Sequence, residues 1–169
     1  MTHRVYISTK EAPITIEKVN LKNLFQMVRD EIAPQLSIRK VKWSQPDYLP
    51  EIKADRLAIV RVIRNLVDNA LKYGGDELSE IRIGYQESDD SHILSVMDDG
   101  IGLNAGDSKE IFDTFKRTQT SRGIEGAGLG LAIVKEIAER HAGKIWMKPR
   151  QEKGINFSVS ISKNLQLSH

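Results

Sequence analysis

The stretch DRLAIVRVIRNLVDNALKY, residues 55–73, decides how this chain folds. Asp55 is an N-cap residue type, its carboxylate suited to the open amides of a first helical turn, and Gly74-Gly75 supply a stop. At 100° per residue, Ile59, Val62, Ile63, Leu66, Val67 and Ala70 form one apolar stripe. The spacing therefore predicts an amphipathic helix running to about Tyr73. Asn65, Asn69 and Lys72 recur at i, i+4 and i+7 on a different face. A carboxamide oxygen is a neutral ligand, Mg2+ takes few protein ligands beside phosphate oxygens, and a lysine neutralises phosphate charge, so this face suits a hydrated cation and a polyphosphate. An ordinary solvated face carries the same residue types, and the helix alone leaves both readings open.

On the N-terminal side, residues 11–20 carry a turn proline and then β-branched residues, which suggests a short first strand. Residues 21–33 place Leu21, Leu24, Phe25, Val28 and Ile32 at helical spacing, with Pro34 as the stop. Residues 41–43 and 51–53 read as short strands around a proline-bearing turn. On the C-terminal side, residues 80–86 and 92–97 alternate as a hairpin. Residues 98–130 hold seven glycines and a small apolar island at 111–115. A loop of that length in a compact domain is functional or mobile. A helix over 129–141 and strands over 144–147 and 156–161 close the chain. Grouped strands with three helices favour an α+β two-layer sandwich, a mixed and mostly antiparallel sheet covered on one face, over a doubly wound dinucleotide fold.

The 169 residues suit one domain, with 25 Lys and Arg against 23 Asp and Glu, a net charge of +2. That balance gives no electrostatic case for nucleic acid or a membrane surface as partner. There is no cysteine, so disulfides and thiolate chemistry are excluded and a cytoplasmic location is expected. No apolar run approaches the roughly 20 residues that span a bilayer. Residues 1–13 read as the end of an interdomain linker or an appended start, 14–162 as the domain with a lid over about 103–127, and 163–169 as a tail.

Three further segments carry chemistry. Asp98-Asp99-Gly100-Ile101-Gly102 follows a strand: a carboxylate there can accept from an exocyclic amine, and glycines admit a flat ligand closely, although Asp-Gly is also a common turn. Gly126-Ala127-Gly128-Leu129-Gly130 opens a helix, where exposed amides attract phosphate; a flexible loop end has the same composition. Between them, Ile111-Phe112-Asp113-Thr114-Phe115-Lys116-Arg117 joins two phenylalanines, which a buried surface turn also explains, to a basic pair suited to a terminal phosphate.

Taken in order, these segments resemble sensor histidine kinases. NLVDNALKY (65–73) resembles the N box, DDGIG (98–102) the first glycine box, IFDTFKR (111–117) the phenylalanine box and GAGLGLAIVK (126–135) the second glycine box. The closing ERHAGKI (139–145) and GINF (154–157) are similar too, so the likeness runs from about 14 to 162. The resemblance implies the Bergerat or GHKL fold, with ATP and Mg2+ as cofactors. It implies that Asn69 coordinates Mg2+, with Asn65 beside it, Lys72 on phosphate and Tyr73 against adenine or ribose. Asp98 would accept from the adenine amine. Gly100, Ile101 and Gly102 would flank the lid hinge. Phe115 would pin the lid, Lys116 and Arg117 would reach the γ-phosphate, and Gly126, Ala127, Gly128, Leu129 and Gly130 would wrap the phosphates. Ala127 departs from the family's usual Thr or Ser, which removes a hydroxyl contact, and Ile155 replaces a Thr. Asp68 and Asp99 resemble common variants.

Asn65 stands where the superfamily's ATPase branch carries a water-activating glutamate, and a carboxamide is no general base, so weak hydrolysis is expected. None of His3, His92, His141 or His169 sits in the family's phosphoacceptor pattern. His141 suits packing or capping. The resemblance thus implies a catalytic domain whose acceptor histidine lies on a separate helical dimerisation domain, with a response regulator downstream. The domain itself would be a monomer without direct membrane contact, in a dimeric parent whose anchoring in an inner membrane is left open. Two alternatives are a serine kinase of the anti-sigma-factor type and a nucleotide-sensing GHKL module without transfer activity.

Overall fold

The computed structural model describes residues 13–100, 116, 130–150 and 153–168. In chain order the elements are β1 (Glu17–Asn20), α1 (Leu21–Glu31), α2 (Ala33–Arg39), β2 (Lys42–Ser44), β3 (Glu51–Ala54), α3 (Arg56–Tyr73), β4 (Glu80–Glu87), β5 (Ser91–Asp98), α4 (Leu131–Arg140), β6 (Ile145–Pro149) and β7 (Ile155–Ser162). Five strands form one sheet in the order β2-β4-β5-β7-β6, with β2 and β4 parallel and every other pair antiparallel. β1 and β3 pair antiparallel as a separate ribbon.

The α+β sandwich with a mixed, mostly antiparallel sheet is as expected, with one correction. The described residues hold four helices, not three, because Pro34 ends nothing: it sits in the first turn of α2. A proline lacks an N–H that the first turn leaves unpaired anyway, and its fixed φ suits a helix start. The expected strands at 42–44 and 51–54 are present and lie in different sheets: β2 joins the large sheet and β3 the ribbon.

Period two along the sheet explains the layers. Ile81 and Ile83 of β4, Leu94 and Val96 of β5, Phe157, Val159 and Ile161 of β7, and Ile145 and Met147 of β6 are buried in one core with the helices. The register sets Leu94 opposite Val159 and Val96 opposite Phe157. From the helix side, Leu24, Phe25 and Val28 of α1, the α3 stripe, and Leu131, Val134 and Ala138 of α4 fill the same core. Each such aliphatic side chain contributes about 1.5–3 kcal/mol by leaving water.

Two polar hubs fix the helices lengthwise. The Asp55 carboxylate caps α3 by accepting from Ala58 N at 3.0 Å, and it also accepts from Thr15 N at 2.8 Å. The Asp55 backbone N–H donates to His141 Nε2 at 3.0 Å, while His141 Nδ1 donates to the Ile137 carbonyl at 2.8 Å. His141, at the end of α4, is fully buried, so one imidazole joins the start of α3 to the end of α4. The chain beyond β7 returns to the first strand: Ser168 N donates to Ile16 O at 2.9 Å, and Ile16 N donates to Ser168 Oγ at 2.8 Å.

Replacing His141 with Phe should lower unfolding free energy at pH 7 by about 1–3 kcal/mol, since the Asp55 N–H loses its acceptor. Burial holds the His141 pKa below its usual value, with the Ile137 hydrogen bond and Asp55 opposing. Its stabilising contribution is therefore full above the unfolded histidine pKa near 6.5 and is lost as pH falls through the lower folded value. Urea unfolding of both proteins from pH 7 to pH 5 should show the gap narrowing; a constant gap would mean that His141 does not titrate in the fold.

Candidate nucleotide site

The apolar stripe of α3 fixes its rotation, and Asn69 falls at the stripe's edge. Asn69 is only 5% exposed, and its Nδ2 is buried without a hydrogen-bond partner among the described residues. An unpaired buried donor costs about 1–3 kcal/mol, so a ligand that supplied its partner would recover that cost. One turn earlier, Asn65 Nδ2 donates to the Arg61 carbonyl at 2.8 Å. Its Oδ1 lies against Gly130, the residue that leads into α4.

Gly130 has φ +67°, and a Cβ there would stand 2.0 Å from Asn65 Oδ1. Glycine is required twice over, for the left-handed backbone and for the close approach. This contact sets the N-terminus of α4 against the polar face of α3. A cleft of about 420 Å³ opens there, lined by Gln35, Arg39, Asn65, Asp68, Asn69, Leu71, Lys72 and Gly130. Lys72 is exposed, with Nζ 5.3 Å from the centre of the half-buried Tyr73 ring.

Asp98 ends β5 and is not among the residues lining that cleft. It lies next to the far end of α3, because Gly100 packs on Gly74: a Cβ on Gly100 would meet the Gly74 carbonyl at 2.4 Å. Asp98 is 8% exposed, and its carboxylate accepts from Gly100 N at 2.9 Å. Burial pushes its pKa up to about 6, against hydrogen bonds from the Gly100 and Ile155 amides. Near pH 7 it is chiefly a charged, desolvated acceptor, the form suited to an amine donor.

Asp99 is a structural anchor. Its Oδ1 accepts from Ser79 N at 2.8 Å and Glu80 N at 2.9 Å, and its Oδ2 accepts from Ser79 Oγ. Burial opposes ionisation, but these hydrogen bonds outweigh it and hold the Asp99 pKa low. Two neighbouring carboxylates thus have opposite environments.

Asn65, Asn69, Lys72 and Gly130 are brought together, with Tyr73, Asp98 and Gly100 at the adjoining end of α3. Lys116 lies at the surface. Ile101, Gly102, Phe115, Arg117, Gly126, Ala127, Gly128 and Leu129 lie outside the described residues. Sequence reasoning missed Gln35 and Arg39. The signal that would have found them is Pro34 read as the start of a helix.

A helix that turns two carboxamides and a lysine toward a glycine-led helix start, over a mixed sheet, defines an ATPase-type domain of the Bergerat fold. Residues 54–165 match the model of the histidine kinase-, DNA gyrase B- and HSP90-like ATPases, and the chain belongs to that family. Membership implies ATP binding. Sensor protein KdpD of Escherichia coli is 34% identical over 152 residues, 90% of this chain and 16% of that protein. Phytochrome-like protein Cph1 of Synechocystis is 35% identical over 113 residues, 67% of this chain and 15% of that protein. The chain thus spans about a sixth of the length of these relatives. The nucleotide-free catalytic domain of histidine kinase ThkA superposes with TM-score 0.72 at 25% identity, covering 89% of this chain and 97% of that one. ThkA in complex with a response regulator matches with TM-score 0.69 at 26% identity, over 88% and 42% of the two chains.

Adenosine affinity should fall as pH drops from 7 to 5, with a midpoint near 6 where Asp98 takes up its proton. Adenosine carries no phosphate to titrate in this range. Calorimetry on the wild type and Asp98→Asn checks this: the dependence should vanish in the variant, and its persistence would exclude Asp98 as the acceptor. Gly130→Ala should weaken binding of an ATP analogue by roughly tenfold or more, because the new methyl displaces Asn65. Unchanged affinity would show that the contact is dispensable.

Proposed function

We propose that this chain is the catalytic and ATP-binding domain of a sensor histidine kinase, binding Mg-ATP and passing the γ-phosphoryl group to a histidine on a separate helical domain. The observation that carries the reading is the buried amide of Asn69, whose Nδ2 has no partner among the described residues, set in a cleft with Lys72 and opposite the Gly130 helix start. A carboxamide offers both an oxygen for a cation and an N–H for a phosphate oxygen. Asn69 would hold Mg2+, whose charge offsets that of the phosphate oxygens when bound. Lys72 adds a cation at the same cleft. Tyr73 and Asp98 would receive the adenosine end, Asp98 through its desolvated carboxylate. Lys116 and Arg117 would meet the γ-phosphate, and the segment 126–130 would wrap the phosphate chain.

The transfer breaks the bond between the γ-phosphorus and the β,γ-bridging oxygen and forms a phosphorus–nitrogen bond on the acceptor imidazole. ADP leaves, and the imidazole proton passes to a base on the acceptor domain. This chain's part is positioning and charge neutralisation. Asn65 cannot take a proton from water, which favours transfer over hydrolysis. The relatives' names, KdpD as a sensor protein and ThkA as a histidine kinase seen with a response regulator, support a two-component setting. Among the described residues no helix is long and apolar enough to cross a membrane.

Labelled phosphate from ATP should appear on an added helical domain carrying the acceptor histidine and not on this chain alone. Asn69→Ala should cut that transfer by roughly a hundredfold or more. Label on the isolated chain, or full transfer by Asn69→Ala, would sink the assignment.

A further inference from the structure

The end of α3 is closed by an arginine from another helix. The last four carbonyls of an α-helix have no partner within it. Ala70 O is taken by Gly74 N at 2.9 Å. Leu71 O instead accepts from Arg39 Nη1, and Gly75 O accepts from Arg39 Nη2 at 3.1 Å. Gly75 O also accepts from Leu78 N at 3.2 Å, and Gly75 has φ +75°. One half-buried guanidinium therefore bridges the last turn of α3 and the turn that follows it. Lys72 lies between the two bridged carbonyls.

A lysine in the last turn of a helix is drawn to that helix's own open carbonyls and to the negative end of its dipole. Arg39 occupies that role. Its planar fork matches two acceptors at once, which a single ammonium cannot do. Lys72 is left on the outside of the turn, with Nζ over Tyr73 and its residue lining the cleft.

We propose that Arg39 is a positioning residue for nucleotide binding: by holding the Leu71 and Gly75 carbonyls it keeps Lys72 available to the phosphates. The inference rests on the nucleotide-site reading above. It assigns a task to α2, whose C-terminal residue reaches across to the chemical helix.

The test is calorimetric titration of this chain with a non-hydrolysable ATP analogue and Mg2+, for the wild type, Arg39→Met, Arg39→Lys, Lys72→Met and the Arg39→Met/Lys72→Met pair. Arg39→Met should weaken binding about tenfold, the loss of one charge-assisted hydrogen-bond pair. Arg39→Lys should recover little, since it restores charge without the fork. In the Lys72→Met background the Arg39→Met change should have little further effect, because its route has been removed. A merely structural arginine would weaken both backgrounds equally, and that result overturns the proposal. So does wild-type affinity in Arg39→Met, or in Arg39→Lys, which would point to charge alone. Should Arg39→Met fail to fold, Arg39→Lys decides, since it keeps the stem and the charge. No binding by the wild type would overturn the nucleotide-site reading itself, whereas wild-type binding with an indifferent Arg39 overturns this inference only.

Discussion

Burial of Ile59, Ile63, Leu66 and Val67 sets the rotation of α3 about its axis, and the rest of the site depends on that rotation. A helix with an apolar stripe has one favourable orientation over a core, because turning the stripe toward water forfeits several kcal/mol. Once the stripe is buried, the directions of Asn65, Asn69 and Lys72 follow from helical geometry. Asn69 sits at the boundary, deep enough to be desolvated and near enough to the cleft to meet a ligand. A polar side chain at such a boundary is strengthened as a ligand by the same burial that leaves it costly when unpaired.

The ends of α3 are fixed by different means. At its start, the Asp55 carboxylate caps the first turn while the Asp55 amide is held by His141 of the α4 terminus. At its end, Arg39 takes two carbonyls, and Gly74 is the floor under Gly100. Gly130 against Asn65 adds a lateral contact. A helix tied at both ends and along one side has little freedom to slide, and the precision needed for phosphate chemistry is of the same order as such sliding. The two ends of the candidate site are therefore registered through one rigid element.

Asp98 and Asp99 show how neighbours in sequence separate in chemistry. Asp99 is satisfied by Ser79 and Glu80 and serves the turn; Asp98 is desolvated and stays reactive toward a donor. Nothing in the dipeptide distinguishes them. The strand alternation that points Asp98 into the core and the passage of residues 79–80 beside Asp99 do so.

The sequence by itself determined α3 and its two faces, the hairpin of β4 and β5, the α+β class and the order of the site segments, because these follow from local periodicity and short-range spacing. Asn65, Asn69, Lys72, Asp98 and Gly130 were legible as candidates, their roles only through the resemblance to sensor histidine kinases. The second helix, the separation of β2 from β3, the tasks of Arg39 and Asp99 and the partners of His141 were not. The contacts of Arg39 and Asp99 and the bond from Asp55 to His141 join residues 19 to 86 positions apart, and an aspartate or an arginine reads the same whether its partner is present or not. Only the tertiary structure decides those pairings, since burial removes water as the competing partner.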